Sequence, residues 1–188
     1  MVVLGVSGSL RECSFNTALL RAAAGLLPAA ARMPLYTDLA SLPPYSEDAD
    51  AEPVPPPVER LRAGIAAADA LLIATPEYNA SIPGQLKNAL DWASRPYPDS
   101  ALRRKPVAVV GASTGVFGAV WAQAELRKVL SAAGADVLDD ELAVGSAHDA
   151  FDDDLVLTDS QLNAGLERII AGLLARAGER RAAGPVRA

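Results

Sequence analysis

Residues 69–96 read DALLIATPEYNASIPGQLKNALDWASRP. The apolar run Ala70–Thr75 has the length and composition of a buried strand. Pro76 has a fixed φ and no N–H, so it ends sheet pairing there. Glu77-Tyr78-Asn79 form a short polar turn, and Pro83 opens a helix. Ile82, Leu86, Ala89, Leu90 and Ala93 give that helix one apolar face. Strand, turn and helix together make one βα unit. A second turn of the same kind, GSLRECSFN at 8–16, follows the apolar run Val2–Ser7. The pair points to one ligand touched from both ends.

The same alternation extends along the chain. A helix is expected from Asn16 to Leu27, with Leu19, Leu20, Ala23, Leu26 and Leu27 on one face and Pro28 ending it. Met33–Tyr36 is a weak second strand. Residues 43–57, PPYSEDADAEPVPPP, read as a surface connection, because periodic structure resumes at once. Val58, Leu61, Ile65 and Ala68 mark the second helix. Val107–Gly111 is the fourth strand, and Ala122, Leu126, Val129, Leu130 and Ala133 stripe the fourth helix. A fifth strand lies within 136–144, interrupted by Asp139, Asp140 and Glu141. Leu162, Leu166, Ile169, Ile170 and Leu173 mark the last helix. Strands alternating with helices predict a parallel sheet covered on both faces. The chain is too short for an eight-stranded barrel of roughly 250 residues. The expectation is an α/β, three-layer, doubly wound sandwich with a five-stranded parallel sheet and a ligand beyond the carboxyl ends of the strands. Residues 1–178 form the single domain, and 179–188 a frayed tail.

Composition narrows the function. The chain has 188 residues, a formal net charge of −6 and 51% hydrophobic residues. The acidic balance argues against a nucleic-acid partner, which needs a basic surface. No apolar run reaches the roughly 18 residues of a membrane span. The single cysteine, Cys13, excludes an internal disulfide and a thiolate metal cluster. No metal site is expected. The amino terminus enters directly into a strand without the pattern of a signal peptide, so a cytoplasmic protein is expected.

Three turns carry the chemistry. In the first, Ser9, Ser14, Asn16 and Thr17 supply short polar side chains where a helix begins, and Arg11 supplies a fixed cation. The pattern is neither GxGxxG nor GxxxxGKS/T. A hydroxyl-rich loop suits a terminal monophosphate. The same spacing also suits a Ser14 or Asn16 that only caps the helix. In the second turn, the N–H groups of Glu77, Tyr78 and Asn79 are free beyond Pro76, and Tyr78 offers a flat face to a planar heterocycle. An ordinary βα loop with a surface tyrosine fits as well. The third turn, Gly111-Ala112-Ser113-Thr114-Gly115-Val116-Phe117-Gly118, has three glycines that allow close approach of backbone to a ligand. It also matches the GxSxG elbow of a serine hydrolase using Ser113, with Asp136 or Asp139 and then His148 in triad order. That reading needs more strands after the elbow than the chain supplies, and it leaves the other two turns unexplained.

The remaining charge clusters have simpler readings. Asp152-Asp153-Asp154 is an acidic boundary. Arg103-Arg104-Lys105 is a solvated turn that also stands to attract the phosphate of an anionic nicotinamide. Arg176, Arg180, Arg181 and Arg187 lie at or beyond a helix carboxyl end, whose dipole favours them.

With these residues in view, the chain resembles the NADPH-dependent FMN reductase family of flavodoxin-like quinone, chromate and azo-dye reductases. GSLRECSFN matches the family's GSLRxxSxN loop, and PEYNASIPGQLKNALDW matches its PEYNxSIPGxLKNAIDW segment. The likeness covers about residues 2–135. It implies FMN as cofactor and NADPH or NADH as co-substrate. By resemblance, Ser9, Arg11, Ser14, Asn16 and Thr17 hold the phosphate. Pro76, Glu77, Tyr78 and Asn79 border the isoalloxazine, mainly through backbone, and Ser113, Thr114, Gly115 and Phe117 close its other edge. The implied mechanism is ping-pong: NAD(P)H gives a hydride to the flavin, then a small-molecule acceptor such as a quinone takes the electrons. No side chain is needed as acid or base, so no catalytic residue is named. Relatives of this kind form homodimers or homotetramers with the PEYN-bearing helix in the interface, which Trp92 and the alanines of that helix would suit. The alternative within the fold is a flavodoxin-like electron carrier reduced by a partner protein. The chain departs from the family's SPGxxGG turn, having Thr114 for proline, Ala119 for glycine, and Trp121 just beyond.

Overall fold

The computed structural model describes residues 1–184. Val3–Ser7 (β1), Leu35–Tyr36 (β2), Ala70–Thr75 (β3), Pro106–Ala112 (β4) and Asp136–Val144 (β5) pair in parallel in the order β2-β1-β3-β4-β5. The connecting helices are α1 (Phe15–Gly25), α2 (Pro56–Ala67), α3 (Gly84–Ala93), α4 (Val120–Ala132), α5 (Ala147–Ala150) and α6 (Ser160–Ala182). The expected doubly wound sandwich is therefore present. Its order reverses between β1 and β3, and the loops leaving those two strands diverge to opposite faces. That divergence opens the crevice in which doubly wound folds bind ligands.

Strand periodicity sorts the core. Ala70, Leu72 and Ala74 of β3, with Ala108 and Val110 of β4, pack toward Leu19, Leu20, Ile170 and Leu173 of α1 and α6. Leu71, Ile73, Val107 and Val109 point the other way, toward Leu61, Ile65, Leu86, Leu126 and Leu130 of α2, α3 and α4. Alanines on the first face let α1 and α6 lie close to the sheet.

The interrupted strand has a specific cause. Val107 pairs with Val137, but Val109 pairs with Glu141, so β5 carries extra residues at this point. The exposed Asp139, Asp140 and Glu141 lie here. Arg127 of α4 satisfies the displaced carbonyls, donating to Leu138 (3.1 Å), Asp139 (3.0 Å) and Asp140 (2.6 Å).

Four expectations change. The helix α5, which carries His148, was not visible in the sequence pattern. The last helix continues to Ala182, four residues into the segment read as a frayed tail; residues 185–188, with Arg187, lie outside the described residues. Lys105 is not part of a solvated turn. Its side chain is buried, and its ammonium donates to the carbonyls of Ala66 and Ala68 at the amino edge of the sheet. Burial pulls that ammonium down to about 8, Arg180 adding to the effect and Asp69 opposing it. A group there cannot meet a nicotinamide bound at the carboxyl edge.

Trp92 is the fourth correction. It is fully buried and so unavailable to a subunit interface. Its indole N–H donates to the Pro43 carbonyl (2.8 Å), and Tyr45 packs edge-on at 4.9 Å. Asn88 donates to the same carbonyl (2.9 Å) and accepts from the Tyr45 N–H (2.7 Å), while Gln85 donates to Leu39 and Leu42. One face of α3 thus fastens the proline-rich connection to the body of the protein.

Candidate functional site

The three turns meet at the carboxyl edge. The first is tied to the second where the Gly8 N–H donates to the carbonyl of Ala74, at the end of β3 (2.8 Å). The first is tied to the third by Asn16. Its amide donates to the Ala112 carbonyl (2.9 Å) and accepts from the Ala112 N–H (3.0 Å), so one buried side chain continues the edge of β4 as a strand would. The third turn and the end of β5 share the Ser113 N–H to Val144 and Ser146 N–H to Gly115 bonds (3.0 Å each).

In the first turn the helix cap leaves several donors free. The Ser14 hydroxyl accepts from the Thr17 N–H (3.4 Å) and keeps its own proton to donate. Thr17 donates its hydroxyl proton to Ser7 (2.9 Å), and the Ser9 hydroxyl accepts from the Arg11 N–H (3.4 Å). Among the described residues, the N–H groups of Phe15 and Asn16 at the start of α1 have no acceptor, and the exposed Arg11 has no acidic partner. Unpaired donors, free hydroxyl protons, a helix amino end and an unpartnered guanidinium make a donor set for an anion with several oxygens. Asn16 contributes backbone, because its side chain is committed to Ala112.

The second turn is tighter than expected. Tyr78 and Ser81 exchange backbone hydrogen bonds (3.0 and 3.1 Å), with Asn79 and Ala80 both left-handed at φ 53° and 60°. This is the pattern of a type I′ turn. The Tyr78 N–H is therefore consumed, and only those of Glu77 and Asn79 stay open. The Tyr78 ring is half-exposed. The Glu77 side chain, for which no role was foreseen, accepts from the N–H groups of Trp121 and Ala122 (3.1 Å each). It caps α4, whose N-cap residue Ala119 has no side-chain acceptor. That missing cap was the signal available in the sequence.

In the third turn, the glycines serve different purposes. At φ +59°, Gly118 lies so close to β5 that a Cβ would come within 2.6 Å of Ala143 backbone, and Gly111 makes room for the buried Gln123 amide. At Gly115 a Cβ would meet only the Ser113 hydroxyl, at an ordinary contact distance of 3.5 Å. Ser113 accepts from the Gly115 N–H (3.1 Å), leaving its own proton, and Phe117 is 63% exposed. The hydrolase triad is not assembled. Asp136 begins β5 at the amino edge, paired with Arg176 (2.8 Å), and Asp139 belongs to the irregular part of β5. His148 is exposed beside Asp149 (3.5 Å).

Two other features lie apart from these loops. A cavity of about 790 Å³ opens at the amino edge among Arg103, Arg104, Asp136, Arg176 and Arg180. The acidic run is a closed turn, with Asp152 accepting from the N–H groups of Asp154 and Val156, and no acidic or thiolate cluster suited to a metal occurs among the described residues.

An open donor set and two exposed rings lie on neighbouring loops of this fold, and these residues fit flavin mononucleotide. The chain belongs to the NADPH-dependent FMN reductase family, whose profile matches residues 1–149. It is 50% identical to an NAD(P)H-dependent FMN reductase of Pseudomonas aeruginosa over 151 residues, 80% of each chain. A 2-hydroxy-1,4-benzoquinone reductase of a Burkholderia species is 48% identical over 124 residues, 66% of this chain and 67% of that one. The solved structure of FerB, a flavoenzyme NAD(P)H:(acceptor) oxidoreductase from Paracoccus denitrificans, superimposes with a TM-score of 0.85 at 35% identity, covering 95% of this chain and 97% of that one. The protein is an FMN-dependent NAD(P)H oxidoreductase.

Proposed function

We propose that the protein reduces a quinone with electrons from NADPH or NADH, the two substrates using one open face of the cofactor in turn. The observation that carries this is a pair of exposed rings on the loops at the carboxyl edge. They are Tyr78 on the second turn and Phe117 on the third, each about half or more exposed. Bound FMN supplies a ring that accepts a hydride and passes on electrons, so the protein needs to bind, orient and shield. In this reading Ser9, Arg11, Ser14, Thr17 and the Asn16 N–H hold the phosphate. Pro76, Glu77, Tyr78 and Asn79 border one edge of the ring, and Ser113, Thr114, Gly115 and Phe117 the other. Tyr78 contributes its ring rather than its N–H. No side chain is assigned an acid or base role.

The quinone preference is supported by the names of the relatives, several of which are quinone reductases at 40–50% identity or close to it. We place the protein in the cytoplasm. No helix among the described residues is long and apolar enough to cross a membrane, and the acidic net charge gives no support to a nucleic-acid partner. Assembly as a homodimer or homotetramer rests on the family resemblance alone, since Trp92 lies inside the subunit.

The test is steady-state oxidation of NADPH and NADH with a series of quinones. Parallel double-reciprocal lines are expected as both substrates are varied. Absence of quinone-dependent oxidation with either nucleotide would reject the reading.

A further inference from the structure

Eight large hydrophobic side chains are exposed among the described residues, and five of them gather at the carboxyl edge: Leu10, Tyr78, Val116, Phe117 and Trp121. Trp121 is 50% exposed in the first turn of α4, beside the buried Ala122 and Gln123. Its backbone is held firmly. Glu77 takes the Trp121 and Ala122 N–H groups (3.1 Å each), and one turn on Ser81 donates to Glu125 (2.5 Å). These three bonds fasten α4 to the second turn, which carries the exposed Tyr78. The Phe117 ring meets the indole edge-on at 5.1 Å and 69°, so each ring props the other. A rigid, propped aromatic left in water has no packing purpose in the subunit. Its position beside the cofactor loops gives it one in recognition.

We propose that Trp121 selects the electron acceptor. Together with Phe117, it forms an aromatic wall that stacks on planar acceptors of two fused rings, such as a naphthoquinone. Single-ring acceptors gain little from it. Glu77, by capping α4 from the second turn, is the positioning residue that sets the angle of the indole. This rests on the reading of the protein as a quinone reductase and adds the class of quinone and the residue that chooses it.

The oxidised holoenzyme is titrated with a hydroxynaphthoquinone in a calorimeter, without nicotinamide, so that no turnover occurs. Trp121→Ala is expected to weaken binding about tenfold, the scale of one lost aromatic stack with its buried area, and Trp121→Phe to restore most of it. In turnover, Trp121→Ala should lower kcat/KM for the two-ring quinone about tenfold more than for benzoquinone. Equal binding by wild type and Trp121→Ala overturns the proposal. So does a parallel sedimentation run in which Trp121→Ala breaks up an oligomer without changing quinone affinity, because the wall would then be covered by a second copy of the chain. Failure of the functional reading looks different: the wild type itself oxidises no NAD(P)H with any quinone, whatever the calorimeter reports.

Discussion

Trp92→Ala is expected to lower the unfolding free energy by about 3–5 kcal/mol, the cost of emptying a fully buried aromatic site. The effect should exceed that of cavity formation alone. The indole N–H holds the Pro43 carbonyl, and the ring supports Tyr45, so the connection from Leu39 to Tyr45 loses its anchor on α3. Asn88 and Gln85 still hold that segment, so it should loosen rather than detach. Chemical denaturation measures the free energy, and amide exchange at Tyr45 reports the local loosening. A variant that keeps its stability but changes its oligomeric state would return Trp92 to a subunit interface and overturn the assignment.

Asn16→Ala is expected to cost about 2–5 kcal/mol, because it strands both the N–H and the carbonyl of Ala112 in a buried place. The consequence reaches the cofactor. Among the described residues Asn16 is the only side-chain link between the first turn and the end of β4, so the proposed phosphate loop and the third turn lose their common reference. FMN affinity should therefore fall more than fivefold, although the substituted side chain touches no phosphate in this account. Denaturation and fluorimetric FMN titration check the two halves. A loss of stability below about 1 kcal/mol would show that Ala112 finds other partners, and the tether would lose its importance.

The fold was largely legible because its punctuation is local. Ala70–Thr75 is bounded by Asp69 and Pro76, Pro28 falls three residues after α1 ends, and Pro83 directly precedes α3. What escaped was nonlocal. Asn16 finds its partner 96 residues away, and Asn88 and Trp92 theirs more than 40 residues earlier, so nothing beside them in the chain announces the pairing. The PEYN–SIPG–LKNA motif accordingly conceals two functions. In our proposal its first half borders the flavin, while Gln85, Asn88 and Trp92 fasten a connection. Charge misled in a similar way. Lys105 follows two arginines and reads as solvated, but the step into β4 turns it inward onto two carbonyls. Ser14 caps α1, one of the two duties its spacing suggested, and its hydroxyl proton stays free.

The most direct test of the central claim is the visible absorbance spectrum of the purified protein, without oxygen, before and after NADPH. The account predicts one FMN per chain and a flavin band that bleaches on NADPH addition with no partner protein, then returns when a quinone is added. A stoichiometric flavin whose band neither NADPH nor NADH changes would contradict it.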